Sequence, residues 1–117
     1  MDHPKLIGNR GEAVAMAHLY SKGYKKLEEQ FHSRYGEIDL IVQKDDTIIF
    51  VEVKAYKAGS QTSPYYAISR SKQQKILQTA KYYLMKHGFR GAGGRFDVIV
   101  VESGVVIDHL EGAFSER

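Results

Sequence analysis

Asp39, Glu52 and Lys54 are charged side chains set among apolar, β-branched neighbours in the stretches "GEIDLIV" and "FVEVK". A charge in such a run is costly to bury unless a partner or a reaction uses it. The two runs, 37–43 and 47–55, are rich in Ile and Val and are separated by the polar "KDD", which predicts a hairpin. If Asp45-Asp46 is the centre of its turn, opposed residues have numbers of constant sum, so that Asp39 faces Glu52, Ile41 faces Phe50 and Glu37 faces Lys54. Alternation then gathers Glu37, Asp39, Glu52 and Lys54 on one face and Ile38, Leu40, Val51 and Val53 on the other.

Opposed Cβ atoms in such a pair lie about 4.5 to 5.5 Å apart, so two carboxylates there repel unless a cation or a proton lies between them. A divalent cation resolves the conflict: Mg²⁺ favours carboxylate oxygens and commonly takes one or two of them together with waters and substrate phosphate oxygens. Lys54, on the same face as Glu52, would set an ammonium beside the ion, where it could orient a water and neutralise charge developing on a phosphate. The trio suits metal-dependent phosphodiester hydrolysis. The same four residues could equally form a solvated polar face with ordinary cross-strand ion pairs, and a turn centre moved by one residue would break the facing arrangement.

Around this hairpin, Ala13, Met16, Ala17 and Tyr20 recur at helical spacing and predict a helix from Gly8 to Ser21, with Gly23 as a left-handed cap. "YKKLEEQF" reads as a short extended segment leading to a turn at Ser33 to Gly36. The nearly continuous apolar run "TIIFVEV" suits a central strand covered on both faces. "KAGSQTSPYY" is a loop. Gln73, Ile76, Leu77, Ala80, Tyr83 and Leu84 predict a helix from about Ser69 to His87, closed by Gly88. Gly88, Gly91, Gly93 and Gly94 form a connector into "RFDVIVVE", which turns at Ser103-Gly104 into "VVIDHL" as a second hairpin. Asp97 reads as a structural residue at a strand end. The order helix, strands, helix, strands describes one domain over 1–117, an α/β or α+β sandwich.

The chain has 117 residues, 43% hydrophobic and 26% charged, a size and composition that fit a single globular core. No apolar run approaches the roughly 20 residues that span a bilayer, and the start lacks the apolar core of a secretory signal, so a cytoplasmic protein without membrane contact is expected. With no cysteine, thiol catalysis, disulfides and sulfur-ligated zinc are excluded. The five histidines, His3, His18, His32, His87 and His109, show no i, i+4 pair of the kind that binds zinc, and His109 is expected to make a local hydrogen bond. There is no phosphate-cradling GxxxxGK[ST] loop. The net charge of +3 permits a polyanionic partner without requiring one.

Arg34, Lys57, Arg70, Lys72, Lys75 and Arg95 lie near the proposed site or on the second helix, where they could neutralise phosphates or serve only as solvated charges. Tyr65 and Tyr66 could stack on an unpaired base or pack on the domain's flank. Gln73, on the inward stripe of its helix, could reach the site or cap the core. Glu37 borders the site.

An acidic residue followed at a distance by Glu-x-Lys resembles the PD-(D/E)xK nucleases. The wider set "GNRGEAVAMAHLYSKGY", "RYGEIDLIV", "IIFVEVK", "KQQKILQTAKYYL", "RFDVIVV" and "IDHLEGAF" is similar to the YraN-like family of small bacterial proteins, nuclease-like and related in fold to Holliday-junction resolvases. The resemblance implies a restriction-endonuclease-like, three-layer α/β/α core with a central mixed sheet. It further implies Asp39 and Glu52 as ligands of Mg²⁺ or Mn²⁺, Lys54 as the catalytic lysine, Glu12 as a further acidic contributor, and nucleic acid, DNA foremost, as the partner. Glu12, expected near its helix N-terminus, would there also stabilise the dipole by about 0.3 to 1 kcal/mol. The superfamily's Pro-Asp is here Ile38-Asp39, and where relatives carry arginines after the lysine, "AYK" keeps only Lys57. The expected activity is that of a metal-dependent nuclease. The alternatives are a catalytically inactive nucleic-acid-binding module of the same fold, or a protein-interaction domain. Resolution of a junction needs two symmetric cuts and hence a homodimer.

Overall fold

The computed structural model of the chain describes residues 4–57, 68–88 and 94–115. The first helix, α1 (Pro4–Ser21), starts four residues ahead of the expected Gly8. Proline suits a first helical turn because the N–H it lacks has no intrahelical partner there. Gly23, at φ +89°, makes the predicted left-handed exit, and Tyr24 N–H returns to Leu19 O at 3.0 Å.

Three strands follow. β1 (Lys25–Ser33) is longer than the extended segment expected from its polar sequence, and it lies at the edge of the sheet, where exposed residues are tolerated. β2 (Gly36–Lys44) and β3 (Thr47–Tyr56) form the predicted hairpin about Asp45-Asp46. Lys44 pairs with Thr47, Ile41 with Phe50 and Leu40 with Val51, so the ladder has the register required by the turn centre. The second helix, α2 (Arg70–Lys86), is capped by Ser69, whose hydroxyl accepts from Lys72 N–H, a standard way to satisfy a first-turn donor. β4 (Gly94–Glu102) and β5 (Val105–Phe114) are joined at Ser103 and Gly104, both at positive φ, as a two-residue hairpin turn demands. β5 runs four residues past "VVIDHL".

The sheet order is β1-β2-β3-β4-β5. Among the described residues only β3 and β4 pair in parallel; that connection needs a long crossover, and α2 lies within it. β3 is central, as its apolar run predicts. Ile49 and Val51 pack with Ala15, Met16 and Leu19 of α1, whereas Ile48 and Phe50 pack with Ile76, Leu77, Ala80 and Tyr83 of α2. Alternate residues of one strand therefore bury against different helices, which puts one helix on each face. The protein is α/β: two helices packed on a five-stranded mixed sheet.

One facing expectation fails. Ile38 packs in the α2 cluster with Ile41 and Phe50, not with Leu40 under α1. The change of face coincides with Gln30, at φ +51°, which lies between the Glu29–Leu40 and Phe31–Ile38 pairs. The loop with Tyr65 and Tyr66, and the connector glycines Gly91 and Gly93, fall outside the described residues. Among the described residues no helix is long and apolar enough to cross a membrane.

Candidate functional site

The β2–β3 ladder ends at Leu40–Val51, so the next pair in register, Asp39 with Glu52, lies just beyond it. There a side chain replaces a backbone acceptor: Val53 N–H donates to Asp39 Oδ2 at 2.8 Å. The strand end opens onto a cleft of about 300 Å³, walled by Glu37, Asp39 and Glu52 from the sheet and by Ser69, Lys72 and Lys75 from the start of α2. Three of the acids and two of the basic residues singled out in the sequence thus meet in one place.

Glu52 is only 6% exposed, yet it is a carboxylate in an apolar strand, and two cations neutralise it. The Lys72 ammonium contacts Glu52 Oε2 directly, and the Lys54 ammonium lies 3.7 Å from the same oxygen. Asp39 and Lys72, which adjoin Glu52, titrate away from their ordinary values. Burial, and then the neighbouring Glu52 charge, push the Asp39 carboxyl up to about 8, against the opposing pull of the Val53 N–H. Burial disfavours the Lys72 charge, but the carboxylates of Glu52, Asp39 and Glu37 outweigh it and hold its ammonium above the ordinary lysine value.

Among the described residues no three His, Cys, Asp or Glu side chains converge as a ready metal cluster. The donor set is the Asp39–Glu52 pair, which fits a hard divalent ion that draws the rest of its shell from water and substrate oxygens. Glu12 sits at the margin of this cluster. Its Oε1 accepts from Gln30 Nε2 at 2.6 Å, burial raises its carboxyl above the usual range, and Glu37, Glu29 and Glu52 add to that rise. Because α1 begins at Pro4, Glu12 lies about two turns into the helix, beyond the first turn where a carboxylate stabilises the dipole. That alternative role falls away.

Other candidates are placed elsewhere. Glu37 lines the cleft but does not pair with Lys54; it faces His32 on β1, with 3.1 Å between its Oε2 and the His32 Nδ1. Gln73 donates to Ile68 O at 2.9 Å and fastens the segment entering α2. Arg34 sits in the β1–β2 turn, where it donates to the Tyr35 hydroxyl. Lys57 lines a groove on the other face with Arg10. Arg95 is held by Asp97, through Nε and Nη2 at 2.8 Å each, and donates to the Tyr24 hydroxyl.

The fully buried Asp97 lies inside β4, not at its end, and forms the centre of a network the sequence did not disclose. Beside Arg95, it receives the Gly112 N–H at 3.1 Å and contacts His109 Nε2 at 2.8 Å. His109 Nδ1 in turn meets His18 Nε2 of α1 at 3.2 Å. Burial raises the Asp97 carboxyl, but its bonds to His109, Arg95 and Gly112 outweigh that and hold it below the usual range. The His109 ring therefore bonds to Asp97 and across the domain to His18, while its backbone N–H makes the local bond, to Asp108 Oδ1 at 2.9 Å. The i, i+2 spacing of Arg95 and Asp97, which puts both on one side of a strand, was a readable signal. The histidines, 91 residues apart, gave none.

Residues 11–101 match the family described as Uncharacterised protein family UPF0102. A UPF0102 protein of Persephonella marina is 37% identical over 109 residues, covering 93% of each chain. Those of Geobacter metallireducens and Treponema pallidum (strain Nichols) are both 39% identical, the first over 115 residues with 96% of this chain and 94% of the relative covered, the second over 121 residues with 97% and 96% covered. On this similarity along nearly its whole length, the chain belongs to the UPF0102 family.

Proposed function

We propose that the protein is a metal-dependent nuclease of the PD-(D/E)xK type, the group resembled by YraN-like proteins, with a restriction-endonuclease-like three-layer core and nucleic acid, DNA foremost, as substrate. One observation carries the reading: Asp39 and the buried Glu52 line one cleft with Lys72, and a second lysine from a different element, Lys54, sets its ammonium 3.7 Å from the same Glu52 oxygen that Lys72 contacts. Asp39 and Glu52 would hold Mg²⁺ or Mn²⁺, with Glu12 close by from α1. Such an ion supplies a Lewis acid for a phosphoryl oxygen and a more acidic water. Val53 N–H fixes the direction of the Asp39 carboxylate. Lys54 presents its ammonium where charge develops on a phosphate. Lys72 and Lys75, at the cleft wall, would meet substrate phosphates. Val105 and Ile107, 60% and 47% exposed on edge strand β5, offer a surface for a second copy.

A second reading is favoured by the Lys72–Glu52 contact. A lysine that already neutralises the carboxylate would suit a module that binds nucleic acid without cutting it. The test incubates the purified protein with duplex, single-stranded, flap and four-way-junction DNA, in EDTA, Mg²⁺ or Mn²⁺. Metal-dependent products that disappear in both Asp39→Ala and Lys54→Ala support the nuclease; cleavage retained by both variants overturns it. Shifted bands without products select the binding module, and neither result leaves a protein-interaction domain.

A further inference from the structure

Farther along α2 from the carboxylate cleft, a hollow of about 330 Å³ is lined by Ser33, Arg34 and Tyr35 of the β1–β2 turn and by Tyr82 and Met85 of α2. It lies on the same side of the sheet, since Gly36, which follows Tyr35, and Lys75, about two turns before Tyr82, both line the cleft. Lys72, Lys75, Thr79, Tyr82 and Lys86 succeed one another at intervals of three and four residues, the spacing of a single helix face. From Lys75 to Tyr82 is about 10 Å at the helical rise, the length of about three stacked nucleotides at 3.4 Å each.

The hollow holds flat surfaces in fixed positions. Ser33 Oγ and Thr79 Oγ1 share a hydrogen bond of 3.0 Å, and Tyr35 N–H donates to the same serine oxygen at 3.0 Å, so the turn is fastened to α2. The Arg34 guanidinium lies over the Tyr35 ring, 5.0 Å from its centroid, and donates to its hydroxyl at 2.9 Å. The Tyr82 ring leans toward Phe31, with centroids 6.3 Å apart, and the Lys86 ammonium stands 5.8 Å from its centroid. Tyr35 and Met85 are 37% and 74% exposed, and among the described residues no carboxylate lines the hollow. Cation-paired rings in an acid-free lining suit a ligand that is planar and carried on a polyanion: bases stack on tyrosine faces and guanidinium planes, while lysines meet the backbone. We infer that the Tyr35–Tyr82 hollow is a stacking platform for an unpaired base of the nucleic acid whose phosphate enters the carboxylate cleft, so that the substrate has single-stranded character. A continuous duplex keeps its bases paired and offers the platform none. The inference rests on the nuclease reading above and deepens it.

The experiment measures, in EDTA and across a salt series, the anisotropy of a fluorescein-labelled single-stranded DNA and of a blunt duplex of the same length. The proteins are wild type, Tyr35→Leu, Tyr82→Leu, Tyr35→Phe and a control, Tyr20→Leu, at an exposed tyrosine of α1. Each leucine variant of the hollow should weaken single-strand binding by about 5- to 150-fold, the loss of one stacked base, with the slope of log K against log salt unchanged because no phosphate contact is removed. Tyr35→Phe, which keeps the ring, and Tyr20→Leu should match wild type, as should every duplex affinity, and the circular dichroism of all five should be alike. Single-strand affinity unchanged in Tyr35→Leu, at the exposed turn, overturns the platform and leaves the nuclease reading standing; a wild-type dimer that dissociates in this variant would then give the patch to a second copy. Equal weakening of duplex binding, or of single-strand binding by Tyr20→Leu, overturns the platform as well, because the effect would be general. A wild type that binds duplex and not single strands has the same consequence. If the wild type binds DNA in neither form, both readings fail together.

Discussion

Asp39 Oδ2 accepts the backbone N–H of Val53 at 2.8 Å, and that bond stands where the β2–β3 ladder stops. A single carboxylate thus both ends strand pairing and fixes its own direction toward Glu52. The charge cluster is therefore built by the backbone, with Lys72 added from α2 once the helix packs.

Asp39 makes ion-free stability depend on pH. Its folded carboxyl, pushed up to about 8 from 3.8, binds its proton more tightly than the unfolded chain does. The contribution is thus fully present below about pH 4 and is lost as pH rises through about 8. Urea midpoints measured in EDTA should fall for wild type relative to Asp39→Asn between pH 5 and 9. A flat difference between the two proteins would contradict the assignment.

Lys72 and Glu52 should be energetically coupled. Lys72→Met leaves the buried Glu52 with Lys54 alone and is expected to cost about 1 to 3 kcal/mol, the scale of a buried acceptor losing its partner. In Glu52→Gln the same lysine change should cost much less. A double-mutant cycle from denaturant midpoints gives the interaction; strict additivity would show the contact to be idle.

Glu12 should tune the metal requirement and not the chemistry. Glu12→Gln is expected to raise the Mg²⁺ concentration for half-maximal cleavage by about 10- to 100-fold, as loss of an outer-shell partner does, with the rate recovered at saturating metal. A lowered rate at saturation with an unchanged metal midpoint would instead make it part of the reacting set.

The Asp97 network should act on stability alone. Asp97→Ala takes the shared acceptor from Arg95, His109 and the Gly112 N–H, while Arg95 keeps Tyr24 and Glu111, and is expected to lower denaturant-measured stability by about 1 to 3 kcal/mol, the scale of buried donors losing a partner. Its neighbour His18 titrates below 6.5 because of burial, with Lys22 and His109 adding to the effect. The stability it lends is present above about pH 6.5 and fades as pH falls through the lowered folded value. His18→Gln should remove that acid sensitivity between pH 7 and 5 in urea midpoints.

How far these features could be read from sequence depends on their range. The hairpin register follows from the position of Asp45-Asp46, because the turn and the alternation of Ile and Val carry the same information locally. α2 was readable to within a residue at each end, since Ser69 caps it and apolar residues repeat every three or four positions. β1 was weak because an edge strand of "KKLEEQFHS" has one solvated side and little periodicity. The face taken by Ile38 depends on the left-handed Gln30 across the ladder, and no local pattern announces it. The contact of Lys72 with Glu52, and of His18 with His109, arises only when helices dock on the sheet. The composition of those segments is indifferent to which charge meets which.

Gly11 lies between Arg10 and Glu12, one lining the rear groove and the other beside the acids. Its bare α-carbon works as a gauge block between helix and strand. A methyl placed there is a shim 2.6 Å from the Ala55 Cβ, with no flexible side-chain end to yield, so α1 itself has to lift. Both neighbours would then travel with it, and one added carbon would detune the front and the back of the molecule in the same stroke.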